Sequence, residues 1–146
     1  MKMITAPCLV VALVALAGCG GETGPKTMRV WGDVSYDDKP VEDGTITFET
    51  GDGSAPAQGQ IKAGHYDVPA AAGPMPDKTY VVKINALAKT GKTVPNVMGD
   101  GAPTMDVMVE TIPVVFNAQS VIRKTIAPEL EKNQFQFKLQ KSGKYE

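Results

Sequence analysis

From residue 28 onward apolar and polar residues alternate with a period of two, in short runs separated by glycine, proline and aspartate. In the first run Met28, Val30, Gly32, Val34 and Tyr36 share one face and Arg29, Asp33 and Ser35 the other, the pattern of a half-buried strand. Residues 37–40 (Asp-Asp-Lys-Pro) form a turn signal, and residues 44–50 answer with Ile46 and Phe48 inward against Thr45, Thr47 and Glu49. These two segments are expected to form the first pair, antiparallel. After a Gly/Asp/Pro loop at 51–57, residues 58–62 and 65–68 read as a hairpin around Ala63-Gly64, with Ile61, Tyr66 and Val68 as core candidates. Residues 69–78 form a second loop. Residues 79–88 are the longest expected strand, with Tyr80, Val82 and Ile84 alternating with Val81, Lys83 and Asn85, and belong centrally in a sheet.

Regularity is lost over residues 89–113, where Pro95, Pro103, Pro113, Gly91, Gly99 and Gly101 leave only 105–112 as a candidate element. Such insertions in small domains are functional or mobile loops. Residues 120–127 and 134–139 close the domain as two further strands, the last with Phe135, Phe137 and Leu139 inward. No segment of this part keeps apolar residues at helical spacing for three turns. Seven short strands joined by turns give an all-β fold, a single two-sheet β-sandwich. Three details stand out. Gly32, on the inward face, marks a bulge or the close approach of another backbone. Lys124 falls in phase with Ile122 and Ile126, which suggests an edge or a strand end. The polar residues 141–146 are expected to fray.

The first twenty residues follow another rule. Lys2 precedes an apolar run from Ile4 to Leu16, too short for a lasting membrane span, and Leu16-Ala17-Gly18-Cys19 follows. A basic start, a short apolar stretch and small residues before a cysteine are the signature of a bacterial export signal that ends in a lipidated cysteine. The expected organisation is a signal peptide at 1–18, a lipidated Cys19 with a tether to 26, a β-sandwich at 27–140 and a tail at 141–146. Several acyl chains on Cys19 would hold the protein at a membrane of the cell envelope, because one chain binds marginally and two or more bind stably.

Charge and cysteine usage narrow the rest. The formal net charge is -1, and residues 1–18 contain one base, Lys2, and no acid. A nearly neutral chain is not expected to bind nucleic acid. Of the two cysteines, Cys8 lies in the expected signal and Cys19 would be acylated, so the domain has no thiol for disulfides or catalysis. The domain is long enough for one hydrophobic core but not two.

Val30-x-Gly32-x-Val34, Tyr36 through Phe48 with its Asp-Asp-Lys-Pro-Val-Glu-Asp-Gly-Thr-Ile-Thr core, Ile61-Lys-Ala-Gly-His-Tyr66-x-Val68 and Tyr80-x-Val82-x-Ile84 together resemble the carboxypeptidase regulatory-like domain, a transthyretin-like (prealbumin-like) sandwich. With Ile112-Pro113, Phe116-Asn117, Ser120 and residues 133–139, the layout resembles the small planctomycete-type lipoproteins that carry one such domain. The resemblance spans most of 28–139. Where the family often has glycine this chain has Asp38 and Asp77, residues that tolerate left-handed backbone. In zinc carboxypeptidases the comparable domain is an accessory to a separate catalytic domain, so the resemblance implies no peptidase activity.

Candidate chemistry is sparse. His65 is the single histidine and is expected to face solvent at a hairpin, since no second histidine or cysteine exists to complete a metal site. Asp33, Asp37, Asp38, Glu42 and Asp43 crowd the first turn, but their spacing fits no calcium loop, and solvated turn carboxylates are expected. Gly51-Asp-Gly53 and Gly99-Asp-Gly101 lack the strand-loop-helix setting of a phosphate loop. Trp31 falls on the face opposite Val30 and Val34. It is expected to lie beneath the 89–113 insertion, against Met98, Met105 or Met108; were it exposed, it could stack a sugar ring or a peptide side chain. No enzyme, metal or cofactor is expected. The expectation is a lipid-anchored envelope protein whose sandwich is an interaction or structural module, its partners the membrane and an envelope protein. The alternative is a carbohydrate-binding module using Trp31 and the 89–113 loop to hold a glycan.

Overall fold

The structure is a computed structural model that describes residues 26–97 and 103–146. The expected signal, Cys19, the tether to residue 25 and Met98 lie outside the described residues. The described chain is all-β. Its strands are β1 (Val30–Tyr36), β2 (Lys39–Pro40), β3 (Asp43–Glu49), β4 (Ala57–Lys62), β5 (His65–Val68), β6 (Thr79–Pro95), β7 (Thr104–Glu110), β8 (Arg123–Thr125) and β9 (Phe137–Leu139). They hydrogen-bond into one curled sheet in the order β2-β1-β5-β4-β3-β6-β7, with β8 beside β6 and β9 beside β1. All pairs are antiparallel except β1 with β9.

The alternation that defines these strands is the alternation of burial. Val30, Ile46, Phe48, Ile61, Val68, Val82 and Ile84 are completely buried, and Ile122 and Ile126 join them from the flanks of β8. Phe48, Tyr66 and Phe137 run through this core with ring centroids 6.3 and 6.1 Å apart, in tilted arrangements that add to the benefit of burial. Two buried asparagines hold the irregular segments. Asn133 Oδ1 accepts from the Ala127 amide while its Nδ2 donates back to the Ala127 carbonyl, and Asn117 Nδ2 donates to the Ile112 carbonyl. Among the described residues no buried side-chain polar atom lacks a partner, as a small core requires.

β1 changes partners midway. Val30 to Asp33 pair with β5, whereas Val34 to Tyr36 run beside β9 and β2. Just before the change lies Gly32, whose φ is +154° and where a Cβ would stand 1.8 Å from the Phe135 carbonyl oxygen. The close backbone approach read from the sequence is therefore real, and beside it the Phe135 amide donates to the Trp31 carbonyl at 2.9 Å. Asp38 and Asp77 take left-handed φ of +63° and +60°, as do Asp37 and Ala63. Positive φ at both Asp37-Asp38 and Ala63-Gly64 gives the two-residue turns that suit twisted hairpins.

Several expectations are corrected. β1 does not pair with β3, which lies between β4 and β6; the residues after β1 make instead the two-residue strand β2 on β1 itself. The expected long strands at 120–127 and 134–139 are hydrogen-bonded as strand only at β8 and β9, because Ser120 and Asn133 take up backbone groups with their side chains: Ser120 Oγ donates to the Val82 carbonyl, 2.5 Å away. Nor does the tail fray. Lys138 and Glu146 exchange backbone hydrogen bonds, and the Lys141 amide donates to Asp37 Oδ1 at 2.7 Å.

The largest correction concerns 89–113. β6 runs on past Ala88 to Pro95 and pairs with β7 in a two-stranded ribbon, with a register irregularity between Lys89 and Thr93. Position follows from the register. Gly32, Tyr66, Ile61, Gly44 and Ala86 form one row across the sheet, and β1 and β6 run in the same direction. Met28 therefore enters on one side of that row, where its amide donates to the Pro74 carbonyl and Thr27 Oγ1 to the Ala70 carbonyl. The ribbon leaves on the opposite side.

Candidate functional site

Trp31 stands on the outer face of the sheet, opposite Asp67 on β5. Its indole is half-buried, and its cover is Arg29, with the guanidinium carbon 4.9 Å from the ring centroid. Arg29 is held there by a two-pronged pair to Asp67, at 2.8 and 2.6 Å. These bonds raise the arginine's pKa and lower that of Asp67, and a planar guanidinium stacked on an aromatic face is a favourable arrangement. The expected cover from the 89–113 segment is corrected: Met105 and Met108 lie on the ribbon at the other end, Met108 near Asp43, Thr45, Gln60 and Asn85. Arg29 thus takes one face of the indole.

His65 and Asp33 are a cross-strand pair one step further along this face, bonded through Nδ1 and Oδ1, His65 exposed and Asp33 half-buried. The Tyr66 hydroxyl beneath them has its pKa pushed up by burial and, secondarily, by Asp33; it donates to the Phe135 carbonyl and so serves the core. The acidic residues of the first turn are dispersed. Asp37 accepts from Lys141, Asp43 pairs with Lys62 at 2.7 Å, and Asp33 faces His65. Among the described residues no three His, Cys, Asp or Glu side chains are grouped to hold a metal ion. Lys124 lies on the edge strand β8, its ammonium 5.5 and 5.6 Å from the rings of Phe135 and Phe137. An inward lysine is tolerated because its stem lies along apolar surface and its charge faces two π-systems.

A cleft of about 220 Å³ sits at the base of the ribbon, between Tyr36, Pro40 and Val41 on one wall and Leu87, Ala88 and Ile112 on the other. Glu110 fixes this base. One carboxylate oxygen accepts from the amides of Ala86 and Ile112, both at 2.9 Å, and the other from Asn85 Nδ2 at 2.9 Å. The ribbon exposes Leu87 at its base and Val94, Met105, Met108 and Val109 beyond it, and Val97 just past the end of β6 is exposed too.

The sequence reading missed the Arg29–Asp67 fork, the Glu110 node and the ribbon. Asp67 lies directly across from Trp31 once the hairpin register is known, so the fork was within reach of the pattern. Glu110 was not, since it bonds to amides 24 residues away and within its own turn.

No protein-family model matches the chain, and no curated protein sequence does. Among solved structures it is similar to a 9R-lipoxygenase from Cyanothece PCC8801, at 10% identity and a TM-score of 0.35, over 81% of this chain and 17% of that one. A likeness that slight carries no argument about fold type or activity.

Proposed function

We propose that the protein is a non-enzymatic, lipid-anchored component of the bacterial cell envelope whose single domain is a two-layered β-sandwich of the transthyretin-like type, akin to the carboxypeptidase regulatory-like domain. Leu16-Ala17-Gly18-Cys19 supports the anchor, with acyl chains on Cys19. The pairing of β2 and β9 with the second half of β1, while its first half pairs with β5, supports the two layers.

The observation that carries the reading is the opposition of the two ends. The anchored segment joins the domain at Thr27 and Met28, beside 70–74, whereas the ribbon projects from the far end of the sheet. A domain tethered at one end holds its exposed apolar strands away from the membrane, where another protein meets them. Among the described residues no helix is long and apolar enough to cross a membrane, so in this reading attachment rests on Cys19. Labelling cells with a radioactive fatty acid tests the anchor: Cys19→Ser should abolish both label and membrane fractionation, and retention of either by the variant refutes it.

The second reading, a glycan-binding module, rests on Trp31. Its half-exposed indole and the neighbouring His65–Asp33 pair would supply stacking and hydrogen bonds. Affinity gels of envelope polysaccharides should then retard the native protein and not Trp31→Ala; equal mobility of the two removes this reading.

A further inference from the structure

Sheet edges are ready-made templates for pairing, and proteins blunt them with lysine, proline, bulges or very short strands. By this measure the edges of this domain differ. β2 is two residues long and consists of Lys39 and Pro40. β8 is three residues, including Arg123 and Lys124. In the ribbon, β6 carries Lys89, Lys92, Pro95 and the register irregularity. β7, Thr-Met-Asp-Val-Met-Val-Glu, ends the strand order, is seven residues long and has neither lysine nor proline. It is the one long, unblunted edge among the described strands.

We propose that β7 pairs, antiparallel and edge to edge, with β7 of a second copy of this chain, in a register centred on Val107. The proposal names a partner for the ribbon end and rests on the reading of that end as a contact surface; it does not require the lipid anchor.

Three properties of β7 select this register. First, alternation puts Met105, Val107 and Val109 on one face and Thr104, Asp106, Met108 and Glu110 on the other. The first face continues across β6 through Ala88 and Val94, opposite Val109 and Met105. Centring on Val107 sets Met105 against Val109 twice and Val107 against itself, so the apolar faces of the two copies merge on one side. Sliding by one residue turns them to opposite sides.

Second, the charges reject the next alternatives. In the proposed register Asp106 faces Met108 and Glu110 faces Thr104. A slide by two residues sets Asp106 against Asp106 in one direction, and Asp106 against Glu110 in the other. Like charges directly opposite destabilise a pair.

Third, the backbone points correctly. The Val107 carbonyl faces β6, where it accepts from Thr90 Oγ1 at 2.9 Å. Alternation then turns the amides and carbonyls of Asp106 and Met108 to the open edge, where they would exchange hydrogen bonds between copies, leaving Val107 with Val107 as the close, non-hydrogen-bonded pair.

Cysteine scanning in the full chain carrying Cys8→Ser and Cys19→Ser tests this register. In a non-hydrogen-bonded pair Cα atoms lie about 4.5 Å apart, within reach of a disulfide. Under a mild oxidant Val107→Cys should move the main band on a non-reducing gel from monomer to dimer. Met105→Cys alone should stay monomeric but join Val109→Cys when the two are mixed. A circular-dichroism melt confirms that each variant is folded, and sedimentation of the chain with Val107 intact should show a dimer that Val107→Asp dissociates. Monomer at every concentration, equal crosslinking at all three positions, or crosslinking of Met105→Cys with itself overturns the proposal. None of these results bears on the anchor, which the fatty-acid label tests separately.

Discussion

Within β6, Tyr80, Val82, Ile84 and Ala86 are at most 5% exposed, whereas every residue from Leu87 to Pro95 is exposed, although one unbroken strand carries both halves. The first half is clasped between β3 and β8, and its side chains meet the core; the second has β7 alone for company. A strand needs partners for its backbone but not a core for its side chains, and the two halves separate those requirements. Stability resides in the first half, and the second rides on it with its apolar side chains free for contact.

Truncating one side chain in each half should expose the difference most strongly. Ile84→Ala should cost about 2–5 kcal/mol, as large-to-small changes in a packed core do. Val94→Ala, on the ribbon, should change stability by less than about 0.5 kcal/mol. Urea denaturation of both variants is the check, and similar losses would break the comparison.

At Gly32 a methyl group has no room against the Phe135 carbonyl, and overpacking of this kind costs about 1–3 kcal/mol or more. Gly32→Ala should therefore lower the unfolding midpoint and separate β9 from β1, while the β6–β7 pairing stays as it was in amide chemical shifts. Glu110→Gln should do the reverse. Replacing the carboxylate that receives two amides and Asn85 should weaken the ribbon's base by about 1–2 kcal/mol. Hydrogen exchange of the Ala88 and Val109 amides, which face each other across the ribbon, should accelerate while that of Val82 and Ile84 is unaltered.

Two smaller effects belong to the turns of the stable half. Ala63 sits at φ +48°, where its Cβ crowds the backbone; Ala63→Gly should raise stability by about 0.5–1 kcal/mol, the left-handed penalty less the entropy of glycine. Asp52 accepts from Ser54, then Thr50 and Lys78, and these bonds hold its pKa well below the usual carboxylate range. A lowered folded pKa means that its contribution is present above pH ~4 and is lost as the pH falls through the folded value. Asp52→Asn should therefore show a shallower loss of stability below pH ~4 than the native chain, and no change in slope would remove Asp52 from the acid response.

The same contrast explains what was legible in the sequence. Alternation reports burial, so the strands that line the core, the Ala63-Gly64 turn and the close approach at Gly32 could be read from it. The ribbon could not, because Leu87 to Pro95 has no inside and outside to alternate between, and its glycine and prolines resemble a loop. β8 and β9 fell short of their expected lengths since Ser120 and Asn133 satisfy backbone groups with side chains, which a hydrophobic pattern does not record. Trp31 was placed on the correct face but beneath the wrong cover, for a cross-strand fork depends on register, which the pattern left open. Cys19, the residue on which the proposed anchoring rests, lies outside the described residues.

Amide hydrogen exchange followed along β6, at protein concentrations low enough to keep the chain monomeric, tests the division of labour most directly. Amides from Tyr80 to Ala86 that are bonded in the sheet should exchange only through global unfolding, and those bonded in the ribbon through a much cheaper local opening. Equal protection along the whole of β6, with exchange in both halves following the global unfolding free energy, would contradict the account.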